Sequence, residues 1–530
     1  MNSRGVLLII FYSIFFLSLV HAQNINTNQL ICKIINQDSK TPVYYATIKL
    51  VGTNLGVVAD DKGQFRLPGD LEMSSKIKVS SIGYVSREIS ISELNKKNTN
   101  IIYLAPSVDQ LEIVTLKSRK KRKKLLSAKQ IVKKAIANID NNYPQTPFSY
   151  IAYYRDYQQP VDSSYVSRSN GQYISEYINL NESIVQVYDA GFATDNMTHQ
   201  RSQTVLYSYV ENKDFERDNS LSIPYDNHSK KYLENTIIPA FGGNEFNILL
   251  LTDALRNHDK PSFSFVENLR EDFVANHRFE LDQIRFLDTI PIYEIDFSTN
   301  AYASGPQHYA TGKIFINTEN FAIHKLSYTV FESFKDAPLY AITIAYRSVG
   351  EKMYLNYITF NNRFEVFKDP EFKIENVVYS PQENILDVFF NNELNINFTT
   401  SHLKRPKLKH NGKDVGITNL LVLDRQIQIK LDDTSRLGTT DEESKYLSRS
   451  IGLMLKGVKD IRGNVLHNIH KLLLNQYREI FVQEVFPDMD IQEGYEVMDK
   501  YTPLSGAKIN DFKDKSKYWI NTPLKKNKKH

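Results

Sequence analysis

VGTNLGVVADDKGQFRLPGDLEMSSKIKVSSIGY, Val51 to Tyr84, alternates apolar and polar residues and is punctuated by Gly52, Gly56, Gly63, Gly69 and Gly83. Strands separated by tight turns read this way, because glycine accepts the positive φ that such turns need. Asp60-Asp61-Lys62-Gly63 is the clearest hairpin signal. Thr53 to Ala59 leads into it, and Gln64 to Leu67 leads out with Phe65 and Leu67 on one face. Outward from this stretch, seven strand candidates fill Ile31 to Leu104: Ile31–Ile35, Tyr44–Val51, Gly56–Ala59, Gln64–Leu67, Lys76–Ser81, Val85–Ile91 and Asn100–Leu104. Ile48, Leu50, Ile77 and Val79 take the inward positions.

TPVYYATIKLVGTNLG, ADDKGQFRL and VSSIGYVSREI occur here in order. With them the segment resembles the carboxypeptidase regulatory-like domain, a small transthyretin-like β-sandwich. The resemblance implies a fold, and function belongs to sites more than to scaffolds. PSVDQLEIVTL, Pro106 to Leu116, resembles the segment that follows this domain in TonB-dependent receptors of Gram-negative outer membranes. No length for a plug and large barrel remains, so the resemblance implies envelope placement without transport.

The 530 residues exceed one core and call for two to four domains. A net charge of +4 does not imply a nucleic-acid partner. The 32 Tyr and 29 Phe suit sheet faces, and they also suit glycan- or peptide-binding surfaces. Arg4, the apolar run Val6 to Val20, and Val20-His21-Ala22 before Gln23 form a secretory signal pattern. The run is short for a membrane span, so a cleaved signal is expected over an uncleaved anchor. Cys32 lies past that point inside LICKII, where a buried small hydrophobe is expected and a lipid anchor is not.

Lys117, Arg119, Lys120, Lys121, Arg122, Lys123 and Lys124 form a basic run and the one candidate interaction patch. Its readings are a solvated linker, contact with anionic headgroups or an acidic partner, and, last, nucleic acid, since no aromatics interleave. Ser127 and Gln130 make a capping box for a helix with Ile131, Val132, Ala135, Ile136 and Ile139 on one stripe. Phe148 to about Phe367 is strand-rich, with a helix expected over Asn244 to Asn257. TGKIFINTENFAIHKLSY within it resembles the repeated hairpin of periplasmic lipoprotein-carrier-like half-barrels. That resemblance implies a sheet around a helix, with either an apolar ligand cavity or a filled core. Phe372 to about His467, from FKIENVVYSPQENILDVFFNNELN to GVKDIRGNVL, is similar to the bacterial surface-layer type of Ig-like domain. LLLNQYREIFVQEVF reads as a helix opening a C-terminal tail, whose end, with the single Trp519, is expected to be partly disordered.

The expected architecture is mainly β and multi-domain. It comprises a signal peptide (1–22), a seven-stranded sandwich (24–105), a linker and helix (106–145), an antiparallel half-barrel-like domain with one or two helices (146–370), an Ig-like sandwich (371–470), and a C-terminal helix and tail (471–530).

The first resemblance invites a zinc carboxypeptidase reading. His277-Arg278-Phe279-Glu280 is the one His-x-x-Glu, yet FVANHRFELDQI is a strand pattern that splits the pair across two faces. His467 and His470 form a weak pair, and Asp460 and Asn464 suit a turn better than calcium. Glu294 and Asp296 share a strand face, where solvated alternation explains them. Phosphate-loop, nucleophile-elbow and dinucleotide motifs do not occur. No catalytic, cofactor or metal residues are assigned, and no cofactor is expected. The leading expectation is an exported, non-enzymatic protein that binds a protein or glycan, or acts as an adaptor, in the periplasm, at the outer membrane or on the cell surface. The alternatives are an apolar-ligand carrier, a hydrolase with an unrecognised carboxylate pair and, last, a transmembrane barrel.

Overall fold

The structure, a computed structural model, describes residues 29–107, 126–161, 174, 176–221, 230–232, 241–334, 338–367, 372–433, 437, 451–466, 471–512 and 517–524. The signal segment, the basic run Lys117–Lys124 and the His467/His470 pair lie outside the described residues. The chain divides into two compact units. One is Met1–Ser118, Ile284–Ile292 and Asp514–His530; the other is Arg119–Gln283 and Tyr293–Lys513.

The first unit holds the seven expected strands: β1 (Gln29–Asn36), β2 (Thr47–Leu50), β3 (Gly56–Val58), β4 (Gln64–Pro68), β5 (Lys76–Ser80), β6 (Arg87–Ser90) and β7 (Asn100–Leu104). They form two sheets, β4-β1-β7 and β3-β2-β5-β6. Ile48, Ile77, Val79, Phe65 and Leu67 are buried as expected, whereas Leu50 is only half-buried. Cys32 is fully buried opposite Phe65, and burial pushes its thiol up to about 12.

The turn at Asp60–Gly63 forms, but it is not a hairpin within one sheet. β3 pairs with β2 and β4 pairs with β1, so the turn carries the chain from one sheet to the other. Asp60 Oδ1 accepts from the Lys62 and Gln64 amides, and Gly63 sits at φ 70° with a would-be Cβ 2.7 Å from the Ile34 carbonyl. Turn chemistry is local, whereas the choice of partner strand depends on where Phe65 and Leu67 find a core. Near the chain end, Tyr518, Trp519 and Asn521 are buried, and Asn521 Oδ1 accepts the Arg66 amide at 3.0 Å. The expected disorder therefore does not extend to these residues.

In the second unit, α1 (Ala128–Ala137) begins at the Ser127/Gln130 capping box and buries Ile131, Val132, Ala135 and Ile136. α2 (Ile139–Asn142) follows. The large sheet then builds from β8 (Phe148–Pro160), β9 (Ile178–Asp189), β10 (Gln203–Glu211), β11 (Lys230–Tyr232), β12 (His277–Leu287), β13 (Ile290–Thr299), β14 (His308–Asn317), β15 (Ile323–Glu332), β16 (Pro338–Val349) and β17 (Lys352–Phe367). α3 (Glu245–Leu251) interrupts them where a helix was expected. The TGKIFINTENFAIHKLSY segment is the β14–β15 hairpin.

A sandwich-like module follows. β18 (Ile374–Ser380), β19 (Ile385–Phe390), β20 (Lys407–His410), β21 (Lys413–Asp414), β22 (Ile417–Val422), β23 (Gln426–Leu431) and β24 (Ile451–Met454) form sheets β18-β19-β23-β22 and β21-β20-β24. Leu386, Val388, Phe390, Ile427 and Ile429 centre its core. The Asp460 carboxylate is consumed by its turn. It accepts from the Arg462 and Asn464 amides and from the Asn392 and Asn464 side chains.

LLLNQYREIFVQEVF is not a helix. It is β25 (Lys471–Phe486), a strand in the middle of the large sheet, whose order is β10-β9-β8-β25-β17-β16-β15-β14-β13-β12. β25 pairs antiparallel with both β8 and β17. A central strand covered on both faces carries apolar residues on both, which blurs the period of 2 and imitates a buried helix. The sheet is open, with β10 and β12 at its ends, so it is not a closed barrel. Among the described residues no helix is long and apolar enough to cross a membrane.

Candidate functional site: a polar cleft on the large sheet

One face of the large sheet carries α1 and α3. Phe148, Tyr150, Ala152 and Tyr154 of β8 project there, as do Ile480 and Val482 of β25. Phe246, Ile248, Leu249 and Leu250 of α3, with Ala254 and Leu255 beyond it, belong to the same buried cluster, and Phe246 meets Tyr154 edge-on at 5.2 Å. The void beside Leu250, Phe148 and Tyr346 is only about 20 Å³. Among the described residues, the protein's own side chains thus fill this part of the face beneath α3.

Further along the same face the lining turns polar. On β8 the change falls between Tyr154 and Asp156; on β25 it falls between Ile480 and Arg478. Beyond them Phe364, Val366, Leu472, Leu474, Ile178 and Leu221 form a second apolar cluster. Between the two clusters lies an open cleft of about 300 Å³. Its walls are Asp156 and Gln158 of β8, Asn181 of β9, Tyr209 and Glu211 of β10, and Gln476 of β25. Arg217 and Asn219 of the loop after β10, Gly243 and Glu245 at the start of α3, and Pro503–Ser505 complete it. The last segment is held against β10 by Met498 N–H to Thr204 O and Asn510 N–H to Leu206 O, each 2.8 Å.

The cleft is built by mutual hydrogen bonds. Gln158 Nε2 donates to Gln476 Oε1 at 3.0 Å and to Leu221 O at 3.0 Å, and Asn179 Nδ2 donates to Gln158 Oε1 at 2.8 Å. Arg478, fully buried, donates through Nε to Glu245 Oε2 at 2.6 Å and through Nη1 to Asn362 Oδ1 at 2.9 Å. Arg217 reaches Glu211 at 3.5 Å and donates to Asn181 Oδ1 at 2.9 Å. Asn181 Nδ2 in turn donates to Asp156 Oδ1 at 3.0 Å. Asp156 is 8% exposed, and burial pushes its carboxyl up to about 6 against the opposing pull of Asn181, Tyr154, Arg478 and Arg217. These residues offer several paired donors and acceptors at fixed spacing in a small volume.

Sequence reading assigned none of these residues. The basic run it did assign, Lys117 to Lys124, lies outside the described residues. The available signal was Asp156, Gln158, Gln476 and Arg478 at core-facing positions of long alternating strands. On β25 it was hidden by the helical reading.

The other clusters raised by the sequence resolve into structural roles. His277 opens β12 and is buried; its Nδ1 bonds Phe273 O and its Nε2 bonds the Tyr328 hydroxyl, each at 2.8 Å. Glu280 is exposed, as the strand reading of the His-x-x-Glu implied. Glu294 and Asp296 meet Asp282 with carboxylate oxygens within 4.8 Å of one another. Lys313 Nζ sits among them at 2.8, 2.7 and 3.3 Å, so a lysine ammonium already supplies the cation.

Residues 32–116 match the family model of the CarboxypepD_reg-like domain, and the first unit carries that domain. No curated protein matches the chain. Among solved structures the chain is similar to a LolA superfamily protein from Nitrosomonas europaea, with 13% identity, 45% of this chain and 86% of that one covered, and a TM-score of 0.18. It is also similar to a DUF1329 family protein from Desulfovibrio piger, with 8% identity, 45% and 87% covered, and a TM-score of 0.19. Neither likeness is close enough to bear on a site.

Proposed function

We propose that the chain is an exported, non-catalytic binding protein of the cell envelope, and that the polar cleft takes a hydroxyl-rich ligand of the glycan class. The lining of the cleft carries this reading. Asn181 and Gln476 are planar amides, each with an N–H beyond the hydrogen bonds described above; the Gln158 oxygen, Asp156 and Glu211 add acceptors, and Tyr209 lines the cleft beside them. A ring bearing several hydroxyls needs this set. The signal pattern before Gln23 supports export, and the CarboxypepD_reg-like domain supports an envelope setting.

A hydrolase would need a second carboxylate free to act beside Asp156. Glu245 is tied to Arg478 and Glu211 faces Arg217, which favours binding over bond cleavage.

Two measurements test the reading. Calorimetric titration of the chain from Gln23 onward against a saccharide panel should show binding that weakens about tenfold on Tyr209→Ala, a loss of about 1.4 kcal/mol. Binding that ignores both Tyr209→Ala and the cleft-filling Ser505→Trp would remove the cleft from consideration. Fractionation of expressing cells should recover a product beginning at Gln23 outside the cytosol, and release of sugar from the panel would count against a non-catalytic role.

A further inference from the structure

Among the described residues, the cleft has one negative charge more than its positive charges can pair. Three carboxylates, Asp156, Glu211 and Glu245, face two guanidiniums. Arg478 is committed to Glu245 at 2.6 Å and Arg217 to Glu211 at 3.5 Å. Asn181 stands between Arg217 and Asp156, accepting from the first and donating to the second. Among the described residues no ion pair reaches Asp156. Arg478 and Arg217 act on this carboxylate only from beyond ion-pair distance; ionised and 8% exposed, it is costly without a direct partner, and a cation from outside removes that cost.

Resting on the glycan reading above, we infer that the ligand of this cleft is an amino-bearing saccharide, seated with its ammonium on Asp156 and its hydroxyls on Gln158, Gln476 and Glu211. The volume of about 300 Å³ is at the small end of ligand sites and suits one or two rings. Tyr209 lines the cleft from the β10 side. The ammonium completes the ion pair that the fold leaves open, so affinity follows the ionisation of Asp156. The titratable and charged groups around that carboxylate are Tyr154 on its own strand, Tyr209 and Glu211 on β10, Arg217 on the loop after it, Glu245 on α3 and Arg478 on β25. With the carboxyl near 6 in the empty cleft, acid should displace the amine.

The test uses glucosamine, N-acetylglucosamine and glucose, with their β-1,4-linked disaccharides, titrated calorimetrically against the chain from Gln23 onward. At pH 7.0 the amino sugars should bind at least ten times more tightly than the acetylated and plain ones, and about tenfold more weakly at pH 5.0 than at pH 7.0. Asp156→Asn should abolish the preference and its pH dependence. Because that change removes a buried charge, the variant should melt no lower than the parent, which guards against a folding artefact. Glu211→Gln should keep the preference. Equal binding of all three sugars, or a preference that survives in Asp156→Asn, overturns the amine assignment and leaves the glycan reading standing. Binding of none overturns both.

Discussion

Arg155 lies on the opposite face of β8 from the cleft, fully buried and ion-paired to Glu479 of β25. Burial works against its charge, but Glu479 and then the rings around it prevail and keep the guanidinium protonated. Among the described residues Nη1 and Nη2 have no hydrogen-bond partner; they sit among Tyr157, Tyr177 and Phe481, whose centroids lie 5.7, 6.0 and 5.4 Å from the guanidinium carbon. Glu479→Gln should therefore cost about 3–5 kcal/mol in a urea titration, because it strands a buried charge; a loss below about 1 kcal/mol would show that the rings suffice. Asp156 has the opposite sign. Its folded value of about 6 exceeds the roughly 3.9 of an unfolded chain, so the native state holds more protons between those values and stability falls as pH rises through them. Asp253, also held near 6 by burial, adds to the same trend. Asp156→Asn should raise stability at pH 7.5 by about 1–2 kcal/mol and flatten its share of the slope, measurable by denaturant titration across pH. Lys313→Met should lower stability by about 1–2 kcal/mol in a denaturant titration at low salt and by clearly less at about 1 M salt, where its attraction to Asp282, Glu294 and Asp296 is screened; equal losses at both would mean packing, not charge.

At the scale of elements, the sequence was most readable where local chemistry decides. The Ser127/Gln130 box, the inward Ile131-to-Ile136 stripe and the seven strands of the first unit follow from caps and periodicity, and they stand as expected. Ser127→Ala should cost about 1 kcal/mol, read from thermal unfolding, because Ser127 accepts the Gln130 amide. Less was readable where the outcome depends on distant partners. Asp60–Gly63 announced a turn but not the strands it joins. β25 carries Leu, Ile, Val and Phe on both faces because β8 and β17 hold it mid-sheet, and no local pattern reveals that. The cleft was illegible for the same reason. Asp156, Glu211, Glu245 and Gln476 come from four separate elements, and only the strand order brings them together. Ile480→Pro would remove a ladder hydrogen bond at the centre of the sheet and should prevent folding; in an exposed helix, proline would cost only about 3 kcal/mol.

In the whole molecule, the sandwich-like module of β18 to β24 is spliced into what would otherwise be one hairpin. Phe367 of β17 stands opposite Lys471 of β25, so the sheet closes up on either side of the module. Replacing residues 368–470 with a two-residue Asn-Gly turn should leave a chain that still folds and still binds the cleft's ligand, judged by circular dichroism and the same calorimetry. Loss of the fold would show that the module braces the sheet. A ribosome makes β8 some three hundred residues before β25, yet the two strands lie side by side. Until the final stretch is synthesised, β8 and β17 expose bare edges to each other and to every other nascent chain. Such a polypeptide would gain from a holdase that covers both edges until Lys471–Phe486 is there to fill the gap between them.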